Sequence, residues 1–275
     1  MKCRVLPGLS RRLSSGRVRP ANPARTREGD NDMARDGDIL FSIITPTAGN
    51  RPNALNNAVQ SVERAARFAG LERNQVEILV GFDGVRGTAP RCAYPVRAYS
   101  LPGDRNRGHG VRDTLIKLAD GGKLVFLDDD NVLKPCALSR YLRHLDAEMV
   151  VARVDAQLTL DQPWLPVLDD GPLVRPGNMN LLSLCLSRAL VADRCGGWRH
   201  HDKPDACRRN IADWYRTARS VTVIEEVVGI LDAGRSLDRA ALSSRQKALL
   251  DELVARRVTP PATAPSAFRF GSMRA

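Results

Sequence analysis

From residue 39 onward, short apolar runs alternate with stretches in which apolar residues recur at helical spacing. ILFSIITPT (39–47) is continuous, rich in β-branched residues and closed by Thr-Pro-Thr, the pattern of a strand buried on both faces. Between Arg51 and Gly70, residues Ala54, Leu55, Ala58, Val59, Val62, Ala65, Ala66 and Ala69 share one helical stripe, and Gly70 ends it. VEILVGFDG (76–84) predicts a second strand ending at Asp83-Gly84, and YPVRAYSLP (94–102) a short third. A helix is expected from about Gly110 to Asp120, stopped by Gly121-Gly122, and KLVFL (123–127) is a fourth strand. Pro135 suits the first position of a helix running to about His144, and EMVVARVDA (148–156) returns to a strand pattern.

The later part is less regular. NMNLLSLC (178–185) reads as a strand, followed by a short helix from Ser187 and by Gly196-Gly197-Trp198. ACRRNIADWY is helical, and VTVIEEVVGIL (221–231) predicts one more strand with a connection. The order implies an α/β fold: a single domain with a mainly parallel central sheet and helices on both faces. The expected boundaries are a basic extension (1–38), a catalytic domain (39–235) whose halves are 39–155 and 156–235, a C-terminal helix (236–258) and a flexible tail (259–275). Leu237, Leu249, Leu250, Leu253 and Val254 give that last helix an apolar stripe. Packing on the domain is its expected use, with a second copy of the chain or a membrane surface as the alternatives.

Composition changes this picture in three places. No run approaches the roughly 20 apolar residues of a membrane span, so a cytoplasmic protein is expected, with membrane contact confined to its surface. The net charge is +11, but only six of the 42 basic residues are lysine, the arginines are scattered, and aromatic residues make up 5%. Without a basic stripe or stacking platforms, nucleic acid is not an expected partner. Six cysteines occur without a C-x-x-C pair, and the Cys195, His200, His201, Cys207 cluster has no common zinc spacing, so reduced thiols are expected. Residues 1–27 hold eight basic residues and no acid, so the extension is expected to be disordered. It is acid-poor like a transit peptide, but with no export pattern an extension upstream of Met33 is the preferred reading.

The chemistry gathers at strand ends. In a parallel sheet ligands bind beyond the carboxyl ends, and three expected ends are polar: Thr45-Pro46-Thr47, Asp83-Gly84 and Asp128-Asp129-Asp130. Three adjacent carboxylates repel, and burial raises their pKa values unless something compensates. In an extended segment Asp128 and Asp130 would point one way and Asp129 the other. Two converging carboxylates offer hard oxygens suited to Mg²⁺ or Mn²⁺, which commonly add phosphate oxygens and water. The simpler reading is a solvated turn that caps the next helix.

SIITPTAGNRP, VEILVGFDG and RGHGVRDTLIKLADGGKLVFLDDDNVLKP, in that order, resemble the nucleotide-sugar half of a family 2 glycosyltransferase with a GT-A fold. The resemblance covers about residues 39 to 225. It implies a nucleotide-diphospho-sugar donor, a divalent cation (Mn²⁺ or Mg²⁺) and an acceptor hydroxyl on a glycan, lipid-linked or small molecule. Pro46 and Thr47 would line the nucleotide pocket, Asp83 would accept from the base, and Arg112 would hold a phosphate or pair with an aspartate. Asp128 or Asp129 would meet the ribose, and Asp130, with Asp128, would ligate the metal. The family places its catalytic base at the head of a later helix. Asp205 fits that place best and Asp202 is the alternative. Direct displacement would then invert the anomeric centre. The family's histidine after the last strand has no counterpart here, and Trp198 is either a sugar platform or core.

Two other classes remain as alternatives. FLDDDNV matches the D-x-D-x-[TV] motif of haloacid-dehalogenase-like phosphatases, with Asp128 as nucleophile and Asp130 as acid/base. That motif usually sits on a first strand, whereas here other strands precede it. A basic, non-enzymatic binding protein is the second.

Overall fold

The computed structural model describes residues 39–103, 107–160 and 162–238. The expected N-terminal extension, the tail and the C-terminal helix beyond residue 238 lie outside the described residues, and Ser236–Asp238 form a turn.

The first half of the described chain follows its sequence pattern closely. Strand β1 (Phe41–Thr47) leads to helix α1 (Pro52–Phe68), then β2 (Val76–Asp83), β3 (Val96–Leu101), α2 (His109–Leu118) and β4 (Lys123–Phe126). These four strands lie in the order β3-β2-β1-β4 and are parallel throughout. Successive side chains of a strand face opposite sides, so Ile43 packs with the stripe of α1 while Ile44 packs with α2. Leu55, Val59 and Val62 of α1 are almost fully buried, each stabilising the fold by about 1.5–3 kcal/mol. Two polar residues inside this sheet, Ser42 and Glu77, are paired: Ser42 Oγ donates to Glu77 Oε1 at 2.5 Å, and Arg97 Nη1 donates to Glu77 Oε2 at 2.8 Å.

The remaining elements are β5 (Val132–Leu133), α3 (Ala137–Leu142), β6 (Met149–Asp155), β7 (Trp164–Leu165), β8 (Leu184–Ser187), α4 (Ala206–Thr217) and β9 (Val221–Ile230). The sheet continues from β4 through β8, β6 and β9 to β5, with β7 beside β6. Here the strand directions mix. β8 runs antiparallel to both neighbours, β6 and β9 are parallel, and β5 and β7 are antiparallel additions. The α/β class with helices on both faces is as expected, and the all-parallel stretch is confined to β3-β2-β1-β4.

Three local differences have physical causes. Asn180 accepts from Leu182 N at 2.9 Å and turns 181–183 into a 3-10 turn, so the strand expected from 178 starts at Leu184. The helix expected from Ser187 is a π-helical turn at Ala189–Arg194. Pro135 lies two residues before α3, in a turn closed by Ala137 N donating to Lys134 O at 2.9 Å.

Candidate functional site

Strands β2, β1 and β4 are parallel neighbours, so their carboxyl ends open on one edge of the sheet. A cavity of about 280 Å³ lies there, lined by Pro46, Thr47, Asp83, Arg112, Asp128, Asp129 and Asp130. All seven residues expected at the donor site thus meet in one space. Arg51, Arg107 and Gly108 join them, and sequence reasoning had not assigned them roles.

The acid turn is built by two backbone bonds. Leu127 N donates to Ile44 O at 3.0 Å, keeping the chain in register with β1 up to the first aspartate. Asn131 N then donates to Asp128 O at 3.0 Å and curls the segment. The curl overturns the expected alternation, which needs an extended backbone. Asp129 and Asp130 share one partner instead, and Asp128 turns to another. Arg51 Nη2 meets Asp129 Oδ1 at 2.5 Å, and Arg51 Nη1 meets Asp130 Oδ2 at 2.5 Å. Thr47 Oγ1 donates to Asp129 Oδ2 at 2.6 Å and accepts from Gly49 N at 3.0 Å. Gly49 takes the left-handed φ of +74° that closes this turn, and a Cβ there would stand 2.7 Å from Val85 Cγ2.

Burial sets the electrostatics. Asp129 is 1% exposed, and burial pushes its carboxyl up to about 6, against the Thr47 hydrogen bond and the Arg51 charge. Burial also raises Asp130, with Arg51 opposing and Asp128 adding to the rise. For Arg51, burial works against the charge, but Asp129 and Asp130 outweigh it and hold the guanidinium ionised.

Arg112 approaches from the other side. Gly108 precedes α2 with φ +74°, and Arg107 before it has φ +61°, uncommon for a side chain with a Cβ. Arg112 Nη1 donates to the Arg107 carbonyl at 3.0 Å, and its Nη2 donates to Asp128 Oδ1 at 2.5 Å. The guanidinium lies 5.3 Å from the Trp198 ring centroid. Burial opposes its charge, yet the Asp128 carboxylate beside it holds the guanidinium ionised. Trp198 itself is 1% exposed and packs against Phe126 and Trp214, so it is core behind Arg112 and offers no platform to a sugar.

The two residues expected as base lie outside the lining of this cavity. Asp205 occupies the N-cap position of α4 without capping it, and its carboxylate pairs with Arg208 and with Arg209 Nε at 2.7 Å. The Arg209 bond, followed by Arg208, holds Asp205 below the usual carboxylate range. Asp202 is exposed and held low by Lys203, 2.5 Å away. Burial pushes up the thiol of Cys207, the second residue of α4, with the Arg112 charge opposing the rise and Asp128 adding to it. His200 Nε2 pairs with Asp213 Oδ2 at 2.7 Å. Among the described residues, no group of three or more His, Cys, Asp or Glu side chains is arranged to hold a metal ion by itself.

The phosphatase pattern finds no support in the topology. Three strands precede β4, which leads into the acid turn, and the strand beside β4 on its far side is antiparallel. No protein-family model matches the chain, and no curated protein matches it in sequence. Solved structures do. S. aureus TarS 1–349 in complex with UDP superposes with a TM-score of 0.59 at 13% identity, covering 79% of this chain and 70% of that one. The same fragment in complex with UDP-GlcNAc gives 0.56 at 12% identity, over 78% and 65% of the two chains. A longer TarS structure gives 0.57 at 13% identity, and there the match spans 43% of that chain. At these identities the likeness concerns architecture, and the architecture of this chain is a GT-A-like fold.

Proposed function

We propose that this chain transfers a sugar from a nucleotide-diphospho-sugar to an acceptor hydroxyl, with inversion at the anomeric carbon. The observation that carries the reading is the cavity at the ends of β1, β2 and β4, where an acid turn is gripped by two arginines from separate elements. Asp83 stands at the end of β2, where it would accept from a base N–H. Asp128, whose side chain is 35% exposed, is better placed to meet ribose hydroxyls than Asp129, which is buried against Thr47 and Arg51. Arg51 and Arg112 put two guanidinium groups on the cavity wall, a charge and shape that suit diphosphate oxygens.

The acid turn fits a divalent cation of the Mg²⁺ or Mn²⁺ type. Asp130 and Asp128 offer hard oxygens, and burial raises the Asp130 carboxyl, with the neighbouring Asp128 charge adding to the rise against Arg51. Among the described residues no group of three His, Cys, Asp or Glu side chains is arranged around a cation, so diphosphate oxygens and water would complete the shell. Bound there, the ion would neutralise charge on the departing diphosphate.

Asp205 is the proposed base, with Asp202 as the alternative. Arg208 and Arg209 keep Asp205 ionised, the state a base needs before reaction. It would take the proton of the acceptor hydroxyl as that oxygen bonds to the anomeric carbon. The bond from that carbon to the diphosphate breaks on the opposite side, and its electron pair leaves with the nucleotide. UDP and GDP, with and without Mn²⁺, test the reading by thermal shift. One of them should raise the melting temperature, and Asp130→Ala should remove the Mn²⁺-dependent part. If no nucleotide shifts the transition with metal present, the function is wrong.

A further inference from the structure

The donor-site reading makes Arg51 important, and the sequence leaves its support unexplained. Arg51 occupies the N-cap position of α1, where Ser, Thr, Asp or Asn would normally satisfy the first free N–H groups. Its guanidinium is committed to Asp129 and Asp130, and it makes no side-chain cap. The cap comes from the far end of the chain. Asp238 Oδ1 accepts from Asn53 N and Asp238 Oδ2 from Ala54 N, each at 2.9 Å. A carboxylate there also meets the positive end of a 17-residue helix.

The segment that carries Asp238 is tied to the acid turn as well. Asp232 N donates to Asn131 Oδ1 at 2.9 Å, and Gly234 N donates to the Asp130 carbonyl at 2.7 Å. A Cβ at Gly234 would stand 3.1 Å from Ala54 Cβ and 3.3 Å from Asp130 O, so the strap fills the gap between helix and turn. Residues 231–238 therefore clasp the two elements that carry Arg51 and its aspartates.

Resting on the proposed donor site, we infer that Asp238 is a positioning residue: by completing the N-terminus of α1 it fixes Arg51 against Asp129 and Asp130. The C-terminal segment thereby sets donor affinity without touching the donor. The test uses the full chain carrying Asp238→Asn or Asp238→Ala, with calorimetry against UDP and GDP in Mn²⁺ and hydrogen exchange at the Asn53 and Ala54 amides. Asp238→Ala should speed exchange at both amides and weaken the bound nucleotide about five- to tenfold, the scale of one lost cap. Asp238→Asn keeps one carbonyl acceptor and should fall between. Faster exchange with unchanged affinity would make the cap purely structural and overturn the positioning role, and unchanged exchange would overturn the cap itself. Should the wild type bind neither nucleotide, the donor-site reading fails separately, and a double-mutant cycle of Asp238→Ala with Arg51→Ala in urea unfolding decides. The double variant is expected to lose less than the two single losses together, whereas additive losses would sink the inference.

Discussion

Thr47→Val isolates one hydroxyl in the centre of the acid turn. Valine keeps the β-branched shape that suits β1 but can neither donate to Asp129 nor accept from Gly49. The bond from Gly49 N is between neutral groups and contributes about 1 kcal/mol, whatever the pH. The bond to Asp129 contributes about 2 kcal/mol when the carboxylate is charged and about 1 kcal/mol when it is protonated. With the Asp129 pKa at about 6, it is ionised at pH 8 and mostly protonated at pH 5. The substitution should therefore cost about 3 kcal/mol at pH 8 and about 2 kcal/mol at pH 5. Urea unfolding of both proteins at the two pH values measures the difference directly. An equal loss at both, or a larger one at pH 5, would refute the claim that Thr47 stabilises a buried charge.

The same carboxyl predicts the pH trend of the wild type. Its folded pKa of about 6 lies above the ordinary value of 3.8, so the folded state binds this proton more tightly. Its contribution to stability is complete below about pH 4 and is lost as pH rises through about 6, which urea titrations from pH 4 to 7 would show. Arg112→Leu gives up the Asp128 pair and the contact with Trp198. Because Asp128 can rehydrate, the loss should be about 1–2 kcal/mol, with nucleotide binding abolished in calorimetry. Gly81→Ala would set a Cβ 2.3 Å from Val111 Cγ1, pushing α2 off β2 and lowering stability by about 1–3 kcal/mol in denaturant. Asp205→Asn loosens only surface pairs and should leave stability in urea and nucleotide affinity nearly unchanged while transfer stops.

The donor half was legible because its strands are long, continuously apolar and punctuated by polar ends. Thr47, Asp83 and the acid turn could be placed together from the parallel order alone. The two-residue strands β5 and β7 are too short to show a period, and the antiparallel entry of β8 depends on a turn made by Asn180. Alternation failed at Asp128–Asp130 because a turn bond, invisible in a one-dimensional pattern, curls the backbone. Arg51 looked like an ordinary residue ahead of a helical proline, and its two acid partners lie 78 and 79 positions away. Asp238 was equally hidden: a cap supplied from the other end of the domain leaves no local signature. For the base, sequence pointed to a helix head, and Asp205 and Asp202 there lie outside the lining of the cavity.

The indole of Trp198 has a consequence for dissecting the molecule. It comes from beyond residue 155, yet it is packed against the guanidinium of Arg112, and β8, from the same later part, forms the neighbour of β4. A fragment ending at residue 155 would keep every residue that lines the donor cavity and still lose the seat of Arg112 and the cover on one edge of the acid-bearing strand. Donor binding by such a fragment should collapse even though no donor contact has been removed. The parts before and after residue 155 are therefore expected not to fold separately, and exchanging the later part between related chains would have to carry this tryptophan and this strand along.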